Sequence, residues 1–225
     1  MQDADFELIT FDVYAALFDF RGSLTPVLAR ALGEKAPVAE ILNSWRTAQL
    51  AIAGSSNVLS RGRIPFREAT RLALDFALGS HGAACDVATR NALVAAWDEL
   101  EPWPEVPGVL GSLQRRGTPL AILSNGDLDM LDALAARLPV RFAHIFSSQH
   151  AGKYKPHPDI YALASRETGL APEQILHVAG SAMDVLGAKS FGMACAWSNR
   201  NSEPPLDPAF IPDVDAPDLR GVLSA

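Results

Sequence analysis

The stretch that decides the fold is Leu8-Ile-Thr-Phe-Asp-Val-Tyr-Ala-Ala-Leu-Phe-Asp19, near the start of the chain. Its short apolar run, from Phe6 to Phe11, is typical of a buried strand, and it ends at the carboxylate of Asp12. The first strand of an α/β sheet carries ligand-binding groups at its carboxyl end, and a carboxylate there can attack an electrophile to form a covalent ester or acyl phosphate. The alternative is that Asp12 only caps the next turn.

The chain after this strand changes character twice. Residues 24–99 are rich in Ala and Leu at helical spacing and are interrupted by glycine clusters, which predicts four helices packed as a small bundle. The proline-rich segment 101–108 closes this insertion. Beyond it, apolar strands alternate with helices, which predicts an α/β fold with a doubly wound parallel sheet. The later strands are expected at residues 119–123, 145–146, 175–179 and 193–197, with one more short strand within 202–225.

Composition narrows the classes of partner and the compartment. The 225-residue chain carries a net charge of −7 and has no basic run, which argues against nucleic acid and anionic membranes as partners. No apolar run approaches the roughly 20 residues that span a bilayer, and the acidic N-terminus does not resemble a signal peptide. Cys85 and Cys195 are far apart and lack zinc-site spacing, so we expect core thiols in the reducing cytoplasm.

Polar side chains follow the predicted strands. Because the carboxyl ends of parallel strands meet at one edge of a sheet, we expect these side chains to converge there. A lysine among them would keep carboxylates ionised, and a Ser-Asn pair with free backbone N–H groups could bind an anionic group at a helix start. Considered singly, the Ser-Asn pair could be a helix cap and the lysine a solvated loop residue. The residues are Asp12, Ser124, Asn125, Lys155, Ser181 and Asp184.

These ordered motifs resemble the haloacid dehalogenase (HAD) superfamily. Asp12 matches the nucleophile of the first motif, and Ser124, Lys155 and Asp184 match the second, third and fourth. The resemblance covers essentially the whole chain. It implies a Rossmann-like HAD core domain formed by residues 1–20 and 100–225, with an all-helical cap domain inserted at residues 21–99.

Two positions separate the subfamilies. Magnesium-dependent phosphatases of this superfamily usually carry an acidic residue two positions after the nucleophile and another five positions before the match to Asp184. Here these positions hold Tyr14 and Ala179, and Mg²⁺ requires hard oxygen ligands. The sequence therefore resembles the L-2-haloacid dehalogenases, which also have tyrosine after the nucleophile, and the resemblance implies neither metal nor cofactor.

Further stretches resemble the same subfamily. Trp45-Arg46, followed by Gln49-Leu50, is similar to its cap segment with the halide-binding arginine, and Tyr161 matches an active-site tyrosine. The run from Trp197 to Arg200 is similar to a stretch near the end of the family's chains. Without the resemblance, both tryptophans would be interpreted equally well as core aromatics, and the arginine as a solvated surface charge.

The sequence also departs from the dehalogenase pattern. The usual Gly-Thr after the tyrosine is Ala15-Ala16, the usual serine at 179 is alanine, and the usual asparagine at 181 is serine. In the family these groups help to position the nucleophile and the hydrolytic water.

The resemblance implies metal-independent hydrolysis of short 2-haloacids through a covalent aspartyl ester. We expect the enzyme to be cytoplasmic and to form a homodimer. Asp12 would be the nucleophile, Arg46 would stabilise the departing halide, and Lys155 and Asp184 would hold the geometry. The residues expected to contact the substrate are Tyr14, Trp45, Ser124, Asn125, Tyr161 and Ser181. The alternatives are a magnesium-dependent small-molecule phosphatase and a divergent HAD-like protein that takes another small carboxylate.

Overall fold

The computed structural model describes residues 6–33, 35–60 and 62–225, so the first five residues of the expected core domain lie outside the described residues. Within this described part the chain forms two compact units. The core unit contains the chain up to Phe18 and again from Pro102 onward, and the helical unit spans Asp19–Glu101. The expected boundaries, after residues 20 and 99, differ from these by two residues each.

The core unit is built on a parallel sheet that has six strands in the described part of the chain. The strands are β1 (Leu8–Phe11), β2 (Leu120–Ser124), β3 (His144–Ser147), β4 (Ile175–Ala179), β5 (Ala194–Ser198) and β6 (Val214–Ala216). Their order is β3-β2-β1-β4-β5-β6, and every neighbouring pair is parallel. The predicted doubly wound sheet is confirmed. The chain reverses its direction of winding between β1 and β4, where doubly wound sheets bind ligands at the carboxyl edge.

The helical unit contains four α-helices in its described residues, as predicted. They are α1 (Phe20–Leu32), α2 (Val38–Ser55), α3 (Phe66–Ser80) and α4 (Val87–Ala95). Helix α1 begins earlier than the expected residue 24 because the carboxylate of Asp19 accepts a hydrogen bond from the backbone N–H of Gly22 and so caps the helix. Helices α2 and α3 bury facing apolar residues, among them Trp45 and Leu74.

Helices flank the sheet in the core unit. They are α5 (Val106–Arg116), α6 (Leu128–Ala135), α7 (Ser148–Ala151), α8 (Pro158–Thr168) and α9 (Ala182–Phe191). Helices α5, α8 and α9 end at Gly117, Gly169 and Gly192, all with positive φ, which is the backbone conformation that glycine adopts without strain. None of the helices in the described ranges is long and apolar enough to span a membrane.

The apolar spacing from Leu128 to Leu138 predicts a helix over those residues, and helix α6 is shorter than this prediction. Its expected end was Leu138, whereas the helix ends at Ala135. The next residues continue as tighter turns, in which the N–H groups of Arg137 and Leu138 each bond the carbonyl three positions back. Leu138 precedes Pro139, and a proline disfavours the helical conformation of the residue before it.

Candidate active site

Asp12 lies at the carboxyl end of β1, at the point where the winding of the sheet reverses. Its backbone N–H donates to the carbonyl of Val178 on β4 at 2.9 Å, which extends the ladder by one residue. Its carboxylate Oδ2 accepts from the N–H of Ala15, while Oδ1 lies 3.4 Å from both Ser124 Oγ and Lys155 Nζ. The side chain is 14% exposed, so the carboxylate is held by the core unit yet remains accessible.

Lys155 and Asp184 form a buried ion pair beside this carboxylate. Lys155 Nζ donates to Asp184 Oδ2 at 2.9 Å, and Tyr161 Oη donates to Asp184 Oδ1 at 2.8 Å. Burial alone would raise the pKa of Asp184, but the charges and hydrogen bonds of His177 and Lys155 outweigh it and hold that pKa well below its usual value. Burial and the nearby Asp184 carboxylate raise the pKa of Tyr161, so its hydroxyl remains a donor.

Asn125 holds the loop that carries the lysine. Its side-chain carbonyl accepts from the backbone N–H of Lys155 at 2.8 Å, and its backbone carbonyl accepts from Ser148 Oγ at 2.7 Å. Ser181 similarly caps α9, because its Oγ accepts from the backbone N–H of Asp184. The substrate contacts expected of Asn125 and Ser181 stay predictions, since their side chains have these supporting bonds within the core unit.

The loops after β1, β2 and β4 pack closely around Asp12. A Cβ at Gly180 would lie 2.4 Å from the backbone nitrogen of Ala16, and a Cβ at Gly126 would lie 2.5 Å from Tyr14 Oη. Only glycine allows these approaches without a shift of the neighbouring loop. Tyr14 is 1% exposed, and its hydroxyl packs against the loop that follows β2.

Arg200 is the last residue of the run from Trp197 to Arg200, and it supports the loop that follows Asp12. Its guanidinium lies 4.1 Å from the ring centroid of Trp103 and bonds Glu105 Oε1 at 2.6 Å and the carbonyl of Ala16 at 3.4 Å. Trp103 Nε1 donates to the carbonyl of Ala15 at 3.1 Å. Burial would raise the pKa of Glu105, but the hydrogen bonds and the charge of Arg200 lower it overall, so the pair stays ionised.

His177 is a site residue that the sequence analysis missed. It lies in the middle of β4 with a side chain that is 0% exposed, and its Nε2 is 3.0 Å from Asp184 Oδ2. Its Nδ1 is 2.9 Å from the hydroxyl of Thr10 on β1. The available signal was a lone polar residue within an otherwise apolar strand, since buried polar groups require hydrogen-bond partners.

Trp45 and Arg46 belong to the helical unit. Trp45 is fully buried and its Nε1 donates to the carbonyl of Thr70 at 2.8 Å, which is the environment of a core aromatic residue. The Arg46 guanidinium lies over the rings of Phe20 and Trp97, at 5.3 and 5.5 Å from their centroids. Both expected functions, substrate contact for Trp45 and halide binding for Arg46, stay predictions.

The core unit thus brings together Asp12, Ser124, Lys155, Tyr161 and Asp184 at one sheet edge. A partly exposed carboxylate beside the buried side chain of Lys155 is suited to nucleophilic attack on a small electrophile. Within residues 6–33, 35–60 and 62–225, no group of three or more His, Cys, Asp or Glu side chains is arranged to hold a metal ion.

A doubly wound sheet with such a carboxylate at the end of its first strand defines the class as an α/β protein whose ligand site lies at the carboxyl edge of the sheet. The sequence matches the family of haloacid dehalogenase-like hydrolases over residues 8–192. The chain belongs to that family.

Within this family, the chain is similar to proteins named as 2-haloacid and haloacetate dehalogenases. The chain is 36% identical to an (S)-2-haloacid dehalogenase of Pseudomonas sp. (strain YL), over 96% of this chain and 92% of the relative. It is 34% identical to haloacetate dehalogenase H-2 of Moraxella sp. (strain B), over 86% of each. The solved structure of L-2-haloacid dehalogenase from Xanthobacter autotrophicus with chloropropionic acid covalently bound superposes with a TM-score of 0.83, at 29% identity, over 97% of this chain and 96% of that one.

Proposed function

We propose that this protein is a hydrolase that removes halide from short 2-haloacids, without a metal ion, through a covalent ester on Asp12. The observation that carries the proposal is the Asp12 carboxylate, 14% exposed and 3.4 Å from the ammonium of Lys155. The position five residues before Asp184 is Ala179, so a carboxylate that a magnesium-dependent phosphatase would use is absent from the sequence. Relatives named as 2-haloacid and haloacetate dehalogenases support the same choice.

In the first step, Asp12 attacks C2 of the haloacid from the side opposite the halogen. A carbon–oxygen bond forms, the carbon–halogen bond breaks, and halide leaves with the bonding electrons. A single displacement at carbon inverts the configuration at C2. Tyr14, Ser124 and Asn125 contact the substrate carboxylate, Arg46 stabilises the halide, and Trp45 helps to exclude water.

In the second step, water hydrolyses the aspartyl ester. The ester carbonyl accepts the water oxygen, the 2-hydroxyacid is released, and the Asp12 carboxylate is regenerated with loss of one proton. Lys155 and Asp184 hold the geometry for this step, and Tyr161 and Ser181 contact the substrate. Both carboxylate oxygens of Asp184 accept hydrogen bonds, and this supports a fixed position for its side chain.

The experiment is a rapid-quench measurement with 2-chloropropionate. Asp12→Asn should abolish halide release while leaving the fold intact, because the amide is isosteric but a poor nucleophile. Mass spectrometry of quenched wild-type enzyme should find the added mass on the peptide that contains Asp12. Asp159→Asn is the matched control, since Asp159 is an exposed carboxylate in the first turn of α8, and it should turn over like the wild type.

The replacements at Ala16, Ala179 and Ser181 should act mainly after the attack. These positions lack the side chains expected to place the water, so hydrolysis of the ester should be the slow step. The wild type should therefore show a burst of halide that approaches one per active site. Halide release without a burst would contradict this assignment of the slow step.

The two alternatives have their own signatures. Hydrolysis of phosphate esters that requires added Mg²⁺, without halide release, would favour a phosphatase. A folded protein that binds small carboxylates but neither releases halide nor forms an ester would favour a divergent binding protein.

We further propose a cytoplasmic location and a homodimer. Cys85 and Cys195 are free thiols, which is compatible with a reducing compartment.

The helical unit carries an apolar groove lined in part by Ala48, Ala51 and Phe76, and the Phe76 side chain is 60% exposed. An apolar surface of this kind is suited to pairing with a second copy. Sedimentation equilibrium should give twice the chain mass, and Phe76→Glu should give the monomer.

A further inference from the structure

A buried imidazole lies behind the ion pair, at a position to which the sequence analysis assigned no function. His177 occupies the central strand β4, between β1 and β5. Its ring has polar neighbours on both nitrogens, which are Thr10 Oγ1 at Nδ1 and Asp184 Oδ2 at Nε2. Thr10 is the register partner of His177 on β1, so the two strands themselves hold the ring in place.

The hydrogen positions follow from the chemistry of the partners. Lys155 Nζ donates to Asp184 Oδ2 at 2.9 Å and Tyr161 Oη donates to Oδ1 at 2.8 Å, so the carboxylate is ionised and can only accept hydrogen bonds. His177 Nε2, 3.0 Å from Asp184 Oδ2, must therefore carry a hydrogen and donate it. An Nε2 that carries a hydrogen cannot accept from Lys155 Nζ, although the two nitrogens are 3.3 Å apart. The N–H groups of Lys155 are thus left to face Asp184 and Asp12.

In this arrangement His177 acts on the nucleophile Asp12 indirectly, through Asp184 and Lys155. Asp184 Oδ2 accepts from both His177 and Lys155, and Oδ1 accepts from Tyr161. With three donors, the carboxylate has one orientation, and that orientation fixes where Lys155 Nζ lies. Lys155 in turn lies 3.4 Å from Asp12 Oδ1.

We infer that His177 is a positioning residue for the proposed dehalogenation, which orients the Asp184–Lys155 pair, and through it Asp12, by donating a hydrogen bond from Nε2. The inference rests on the proposed function. A misplacement of a reacting group by about 1 Å reduces rates by about 100-fold, so loss of this donor should lower kcat by about 10- to 100-fold.

The test compares three replacements of His177. A glutamine amide can place an N–H close to the site of Nε2, an asparagine amide reaches only the site of Nδ1, and phenylalanine fills the volume without donating. We expect His177→Gln to retain most of the wild-type kcat, and His177→Asn and His177→Phe to lose about 10- to 100-fold with little change in KM. If His177→Phe does not fold, the comparison of the Gln and Asn variants carries the test.

A matched control separates positioning from loss of stability. Leu176 is the preceding residue of β4, is 2% exposed, and points to the opposite face of the sheet. Leu176→Ala should lower the melting temperature without changing kcat. Equal kcat values for the Gln, Asn and Phe variants, or losses that follow melting temperature alone across all four variants, would overturn the inference.

A second measurement does not depend on dehalogenase activity. Nitrogen-15 NMR of histidine-labelled protein should show His177 with a protonated Nε2 whose signal shifts in Asp184→Asn. An unprotonated Nε2 would overturn the inference whatever the substrate. A protonated Nε2 in a protein that releases no halide would instead contradict the proposed function and leave the Asp184–His177 hydrogen bond established.

Discussion

Lys155 carries the charge that lets two carboxylates lie together at the edge of the sheet. Its side chain is 6% exposed, and those of Asp12 and Asp184 are 14% and 5% exposed. A buried ion pair is stable only when further hydrogen bonds satisfy its remaining polar atoms. Tyr161 and His177 supply these bonds to Asp184, so the pair is best understood as a fixed support for the more exposed Asp12.

The depressed pKa of Asp184 makes a prediction about acid stability. A carboxyl group whose pKa is lower in the folded than in the unfolded state stabilises the fold above the unfolded value, about 4, and loses that contribution as pH falls. Asp184→Asn removes this contribution. Urea unfolding between about pH 5 and pH 2 should therefore show a steeper loss of stability in the wild type, by up to about 1.4 kcal/mol per pH unit. Equal pH dependence in the two proteins would contradict the ionised, buried Asp184.

Arg46 gives a second prediction for a single residue. Its guanidinium lies over two aromatic rings and donates to Gln49 Oε1 at 2.6 Å, a geometry that an ammonium does not reproduce. Arg46→Lys should lower turnover of 2-chloropropionate by about tenfold or more while circular dichroism stays unchanged. Arg71→Lys, on the half-exposed surface of α3, is the control. Equal activities for the two variants would exclude the halide role.

At the scale of elements, the approach of β1 and β4 depends on Gly180. A Cβ at this position would lie 2.4 Å from the backbone of Ala16, so Gly180→Ala must displace the loop after Asp12. We expect a loss of about 1–3 kcal/mol in the free energy of unfolding, together with reduced turnover. Thermal and urea denaturation measure the first effect and halide release the second.

Gly54 provides the matched control for that substitution. It lies inside α2 with no heavy atom within 4 Å of an added Cβ. Since alanine favours a helix over glycine, Gly54→Ala should raise the free energy of unfolding by about 0.5–1 kcal/mol and leave turnover unchanged. If the two variants behaved alike, the close approach at Gly180 would have no consequence for the site.

For the molecule as a whole, the proposed chemistry needs no metal ion. Tyr14 and Ala179 stand where a magnesium-dependent relative would supply carboxylates, and Mg²⁺ binds to hard oxygen ligands. Halide release should therefore continue at an unchanged rate after dialysis against EDTA. A loss of activity that added Mg²⁺ restores would contradict the dehalogenase assignment and favour a phosphatase.

Much of the architecture was predictable from local patterns. The apolar runs of β1 and β4 and the glycine residues that end α5, α8 and α9 are short-range signals, because strand burial and helix termination depend on neighbouring residues. Helix α6 shows where such signals compete, since apolar spacing extended the prediction to Leu138 while Pro139 ended the helix earlier.

By itself the sequence determined which polar residues follow the predicted strands. It thereby identified the candidates Asp12, Ser124, Lys155 and Asp184. The tertiary structure alone decided what supports them. Thr10 and His177 are 167 positions apart and meet only because β1 and β4 are neighbours in register. A hydrogen bond between distant residues leaves no periodic trace in the sequence, since its cause is the pairing of strands and not the pattern within either one.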